Sequence, residues 1–184
     1  MAIDKIISAS ITDGTIATAD IADGAVTSVK TTGVGGANTP AFFAYKVGGN
    51  QVVSDATGTK VTFDTEAYDT ANAFSSSKFT VPSGQAGKYY FYGAVNLDGG
   101  TYDRLNVVII YLYKNGTIVS NWRTNFRSNP IYYIEPHFTD TLDLAVGDYI
   151  EVYGYVDVVS GTPSINGNGD GRHMTQFGGF KIIE

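Results

Sequence analysis

His137 and His173 are the only histidines in the 184-residue sequence, and neither stands in a spacing that organises chemistry. No HExxH or GxSxG pattern accompanies them, so metal-assisted and serine-nucleophile hydrolysis lack their motifs. His137 lies between Pro136 and Phe138 in a strand-like run, the setting of a hydrogen-bonded interface residue. Glycoside cleavage would need two facing carboxylates, and Asp140 with Asp143 or Asp98 with Asp103 could supply them. Both pairs fall at strand ends or turns, where Asp serves local hydrogen bonding. The sequence has no cysteine, which removes thiolate metal sites, cysteine nucleophiles and disulfides together. No enzymatic role is expected.

Two stretches carry binding chemistry instead. The loop Asn166-Gly167-Asn168-Gly169-Asp170-Gly171 places oxygen side chains at alternate positions with Gly sixth, as a calcium loop begins. Its twelfth position is Phe177 where a bidentate Glu belongs, which removes the EF-hand reading. A looser Ca²⁺ site at Asn166, Asn168 and Asp170 and a plain glycine-rich turn are the two readings left. Trp122, Arg123, Phe126, Arg127, Tyr132 and Tyr133 form the second stretch. Aromatics beside guanidinium groups suit sugar stacking or contact with an anionic ligand, and core or trimer-axis packing would use the same aromatics.

Strands must position these groups. Twenty-two Gly, 13 Tyr and 10 Phe, with abundant Thr, Val and Ile, describe short strands and tight turns. Strand-like runs fall at 41–47, 60–63, 79–81, 88–97, 105–114, 117–122, 132–144, 149–156 and 177–183. Asn115-Gly116 is a two-residue hairpin signal. No segment has a 3.6-residue period, so the pattern predicts an all-β jelly-roll sandwich over 41–184.

The first 30 residues follow another rule. Ile6, Ile11, Ile16, Ile21 and Val26 fall every fifth residue, a spacing that suits neither a helix nor a flat strand. One aliphatic in five cannot form a core within one chain, but several copies wound on an axis could bury them together. Residues 1–30 are therefore expected to be a stalk or anchor, and the Gly/Thr-rich stretch 31–40 a linker.

The order of short motifs after the linker resembles the globular head of complement C1q. The resemblance is carried by Ala41-Phe42-Phe43-Ala44-Tyr45, Val61-Thr62-Phe63-Asp64 followed by Tyr68-Asp69, and Lys78-Phe79-Thr80-Val81-Pro82. Gly87-Lys88-Tyr89-Tyr90-Phe91, Leu112-Tyr113-Lys114-Asn115-Gly116, Gly147-Asp148-Tyr149-Ile150-Glu151-Val152 and Phe177-Gly178-Gly179-Phe180-Lys181-Ile182 continue it. It implies a ten-stranded jelly roll of C1q and tumour-necrosis-factor type, a homotrimer with aromatics near the axis, ligand binding by loops and side surfaces, and no catalysis. Some such heads hold calcium. On this basis Tyr89, Phe91, Tyr111, Phe177 and Phe180 are expected at the trimer interface. Runs such as Tyr89-Tyr90-Phe91-Tyr92, apolar on both strand faces, point the same way.

A net charge of −6 weighs against nucleic acid, and no apolar run approaches the roughly 18 residues of a membrane span. The N-terminus lacks the basic start and apolar core of a secretory signal. The Ile-Thr-Asp-Gly-Thr-Ile leader resembles those of bacteriophage fibre and virion proteins. The expectation is a virion protein assembled in the host cytoplasm and released by lysis. It would be a tail fibre or tail-tip appendage, with residues 1–30 gripping other virion proteins and the head meeting a host surface glycan or protein. A capsid decoration protein and a cellular C1q-like binding module are the alternatives.

Overall fold

A computed structural model describes residues 16–22, 25, 38–102, 104–167 and 172–182. The chain divides into two compact units, Met1–Ala37 and Asn38–Glu184. In the first, a 3-10 turn spans Thr18–Asp20, and the Asp20 carboxylate accepts a hydrogen bond from the Ala17 N–H at 2.9 Å. Ile16 and Ile21 are exposed, while Ile6, Ile11 and Val26 lie outside the described residues. No helix among the described residues is long and apolar enough to cross a membrane.

Among the described residues the second unit has fifteen strands: β1 Ala41–Tyr45, β2 Gln51–Val52, β3 Thr59–Lys60, β4 Thr65–Asp69 and β5 Phe74–Ser75. Then come β6 Lys78–Thr80, β7 Gly87–Ala94, β8 Leu97–Asp98, β9 Leu105–Lys114 and β10 Thr117–Asn125. The chain closes with β11 Tyr133–Ile134, β12 His137–Leu144, β13 Tyr149–Val158, β14 Ser164–Ile165 and β15 Gln176–Lys181. A five-stranded antiparallel sheet has the order β12-β7-β15-β1-β4. A six-stranded sheet follows β10-β9-β13-β6-β5 with β3 beside β13, and a small sheet runs β11-β8-β14-β2. The first and last strands pair, Ala41 opposite Phe180, which ties the ends of the unit together.

The sequence places nearly every long strand, with three differences. The expected 132–144 run breaks at Glu135-Pro136, because proline has no N–H for a ladder, and gives β11 and β12. Strand β4 is missing from the strand-like runs, although the family-like pair Tyr68-Asp69 lies in it; its side chains are mostly exposed, so no apolar alternation marks it. The turn joining β5 to β6 uses Ser76 and Ser77 at positive φ, without the usual Gly or Asn.

Side chains from the two large sheets meet in one core containing Phe42, Phe79, Tyr89, Phe91, Leu112, Phe138, Val152 and Phe177. Tyr89, Phe91 and Phe177 are 0% exposed in the single chain. This corrects their expected place at a trimer interface: a side chain already sealed inside its own sandwich has no surface to offer a second copy. Burial pushes the Tyr89 hydroxyl up to about 12, and it donates to the Gln85 carbonyl at 2.6 Å.

The Asn115-Gly116 hairpin between β9 and β10 has both residues at positive φ, as a type I′ turn demands. Asp148 fastens it. Its carboxylate receives Lys114 Nζ at 2.8 Å, Asn115 Nδ2 at 2.6 Å and the Ala145 N–H at 2.8 Å. The Lys114 and Asn115 hydrogen bonds hold the carboxyl down to about 2, from an ordinary 3.8. A depressed folded value means the contribution is whole above pH 3.8 and lost as the pH falls toward 2. Solvent screening reduces it to about 1 kcal/mol. Unfolding free energies from urea titrations of Asp148→Asn and the native chain should therefore differ by that amount at pH 6 and converge near pH 2.

Candidate functional site

Alternation along the strands of the five-stranded sheet sends one set of side chains into the core and the other out. The outward set is aromatic: Phe43 and Tyr45 on β1, Tyr68 on β4, Tyr90 and Tyr92 on β7, and Phe180 on β15. Phe43 lies between Tyr68 at 6.3 Å and Tyr92 at 6.2 Å, with planes 28° and 15° from parallel. Tyr90 continues the row, 6.1 Å from Tyr92 and 5.5 Å from Phe180. Gly178 makes this ladder possible. It sits in register between Tyr92 and Phe43, and a Cβ there would come within 2.5 Å of the Tyr92 ring. Burial and a hydrogen bond with Tyr68 push the Tyr92 hydroxyl well above its ordinary value. His173 caps one end, 4.0 Å from Tyr45 and 5.3 Å from Phe43.

The comparisons with known proteins bear on this architecture. No protein-family model matches the sequence, and no curated protein matches it. Solved structures do. The globular domain of zebrafish complement 1qA protein aligns with a TM-score of 0.54 at 16% identity, over 78% of this chain and 98% of that one. Murine APRIL, in its crystal structure at pH 5.0, aligns with a TM-score of 0.53 at 15% identity, over 77% and 98%. The chain has the C1q/TNF jelly-roll fold. At these identities the fold is what is shared.

Within this C1q/TNF sandwich the residues singled out from the sequence scatter. Of the five expected interface residues, Phe180 stands on the aromatic face. Tyr111 lies on the other layer, on β9, pointing out of the six-stranded sheet. Trp122 and Arg123 are strand neighbours on opposite faces: Trp122 turns inward to Phe138 at 5.4 Å, while Arg123 is exposed. Arg127 pairs with Asp157 at 2.9 Å, and Tyr132 stacks near Tyr102 at 4.5 Å. The stretch from Trp122 to Tyr133 is thus not one ligand cluster.

Asn166 is fully engaged: its Nδ2 donates to Asp98 at 2.8 Å and its Oδ1 accepts from Ser164 at 2.8 Å. This side chain braces the base of the loop. Asn168 and Asp170 lie outside the described residues, and so does Asp103. No group of three or more His, Asp or Glu able to hold a metal occurs among the described residues. Asp140 and Asp143 are three apart on β12, so they point to opposite faces of the strand and cannot act as a facing pair. Asp140 instead accepts a hydrogen bond from the Ser120 hydroxyl. A shallow open depression lined by Tyr133, Glu135, Arg172, His173 and Met174 brings a histidine near one carboxylate.

The outward face of the six-stranded sheet was not foreseen as a unit. Tyr111 and Tyr113 on β9 and Tyr149, Tyr153 and Tyr155 on β13 all point out, half-buried. Tyr113 and Tyr153 have centroids 4.2 Å apart, and Tyr111 stands edge-on to Tyr113 at 6.3 Å. The i, i+2 spacing of Tyr149, Glu151, Tyr153 and Tyr155 was the available signal.

Proposed function

We propose that this chain is a non-enzymatic structural protein of a virion, a phage tail fibre or tail-tip appendage, that works as a homotrimer. The aromatic face of the five-stranded sheet is the joint between copies, residues 1–30 grip other virion proteins, and the rest of the head meets the host surface. The observation that carries this reading is the ladder Tyr68-Phe43-Tyr92-Tyr90-Phe180, left half-open by a single chain. Aromatic side chains bury about 150–250 Å² each, so such a row offers the apolar centre of a specific interface. The C1q/TNF fold supports a binding or structural module, and the family resemblance implies the three-fold arrangement. Exposed Ile16 and Ile21 support a leader whose aliphatics are covered by other copies.

Light scattering on the full chain at micromolar concentration should give three times the chain mass. A single-chain mass would end the trimer reading. Peptide mass spectrometry of purified particles from a phage lysate should find the chain at a stoichiometry divisible by three. Its absence from intact particles would end the virion reading.

A further inference from the structure

The outward face of the six-stranded sheet is the opposite of the aromatic ladder in chemistry. Its rings carry hydroxyls, and polar groups surround them. Burial, aided by the neighbouring tyrosines, pushes the Tyr111 hydroxyl up. Burial together with Glu151 does the same for Tyr153, so both are neutral donors at physiological pH. Ring faces with hydroxyls at their edges match a sugar, which has an apolar C–H face and a polar rim.

Charge selects among sugars. The chain has a net charge of −6, yet Lys60, Lys78, Arg123 and Arg127 outnumber Glu151 and Asp157 on this face. Lys60 is spent on Glu151 at 2.6 Å, Arg127 on Asp157 at 2.9 Å, and Lys78 lies over the Tyr149 ring at 4.8 Å. Among the cations described on this face, Arg123 is the one with no carboxylate in salt-bridge range and no ring beneath it, and it is exposed on β10 near Tyr111. A guanidinium offers two parallel N–H donors, the geometry that fits a carboxylate.

We infer that Tyr111, Tyr113, Tyr153 and Tyr155 with Arg123 form a binding platform for an acidic polysaccharide whose sugars carry carboxylates. The rings take the C–H faces of successive sugars, and Arg123 holds one carboxylate. This rests on reading the chain as a surface-binding module. It names the ligand class, and puts the contact on the flat of the outer sheet.

The test is affinity electrophoresis of the full chain in gels containing polygalacturonate or, as the neutral arm, dextran. Polygalacturonate should retard the native chain and dextran should not, although an acidic protein is repelled by a polyanion in bulk. Arg123→Gln, an exposed position that leaves packing intact, should weaken the retardation at least tenfold, and Tyr153→Ala likewise. No retardation, equal retardation by dextran, or retention undiminished in Arg123→Gln would each overturn the inference. The readout does not need the trimer. A monomer retarded in an Arg123-dependent way keeps the platform and ends the trimer reading, whereas a trimer without retardation does the reverse.

Discussion

Replacing Phe177 by alanine should cost about 4 kcal/mol of folding stability, the range of a fully buried aromatic cut back to a methyl group. Phe177 is 0% exposed and is the hub of the core. Its ring meets Phe42 edge-on at 5.0 Å and lies 5.8 Å from Phe63, 5.9 Å from Phe91, 6.1 Å from Phe74 and 6.1 Å from Phe138. These neighbours come from five different segments of the chain, so collapse of one ring into the void cannot repair the others. Residual cavity adds to the lost transfer energy. Urea unfolding followed by tyrosine fluorescence should show the midpoint falling by the same amount at every protein concentration. A variant that kept the native midpoint but lost its oligomeric mass would return Phe177 to an interface and refute its place in the core.

That contrast marks where the sequence stops being legible. Asn115-Gly116 reads directly as a hairpin, because only φ above zero at both residues satisfies the turn. The closing motif Phe177-Gly178-Gly179-Phe180 reads as a strand, and it pairs with both β1 and β7. The face each side chain takes is harder. In Tyr89-Tyr90-Phe91-Tyr92 every position is aromatic, so period-two patterning assigns neither parity to the core. Packing decides it: Tyr89 and Phe91 are 0% exposed within the core while Tyr90 and Tyr92 are half-buried, and both parities meet a glycine across the ladder, so only the folded sandwich sets 89 and 91 inward. Val107-Val108-Ile109-Ile110-Tyr111 has the same ambiguity, and Tyr111 consequently belongs to the outer sheet. Strand β4 is marked only by the family-like pair Tyr68-Asp69, because an edge strand with solvated side chains has no apolar rhythm. The stretch from Trp122 onward looked like one cluster for the same reason, since adjacency in a strand means opposite faces.

The ladder on the five-stranded sheet yields the other large effect. If the copies join through this face as proposed, Tyr92→Glu should convert the proposed trimer to a folded monomer. In the isolated chain the position is half-open at the surface, so a glutamate there keeps its water and costs about 1 kcal/mol in strand preference. In the trimer, three carboxylates would be carried into a face built of Phe43, Tyr45, Tyr68 and Tyr90. Its neighbours Phe43, Tyr68 and Tyr90 include no cation to neutralise a charge. Desolvating each unpaired carboxylate costs several kcal/mol, and the cost is paid three times per assembly. Association should weaken by more than a thousandfold. Tyr92→Phe removes only the hydroxyl hydrogen-bonded to Tyr68 and should keep the trimer, so ring and hydroxyl are separated. Tyr153→Ala, on the other sheet, should also leave the mass unchanged. Light scattering with circular dichroism decides the matter: a Tyr92→Glu chain that remained trimeric with a native spectrum would show that the copies meet elsewhere, with the aromatic ladder left facing water.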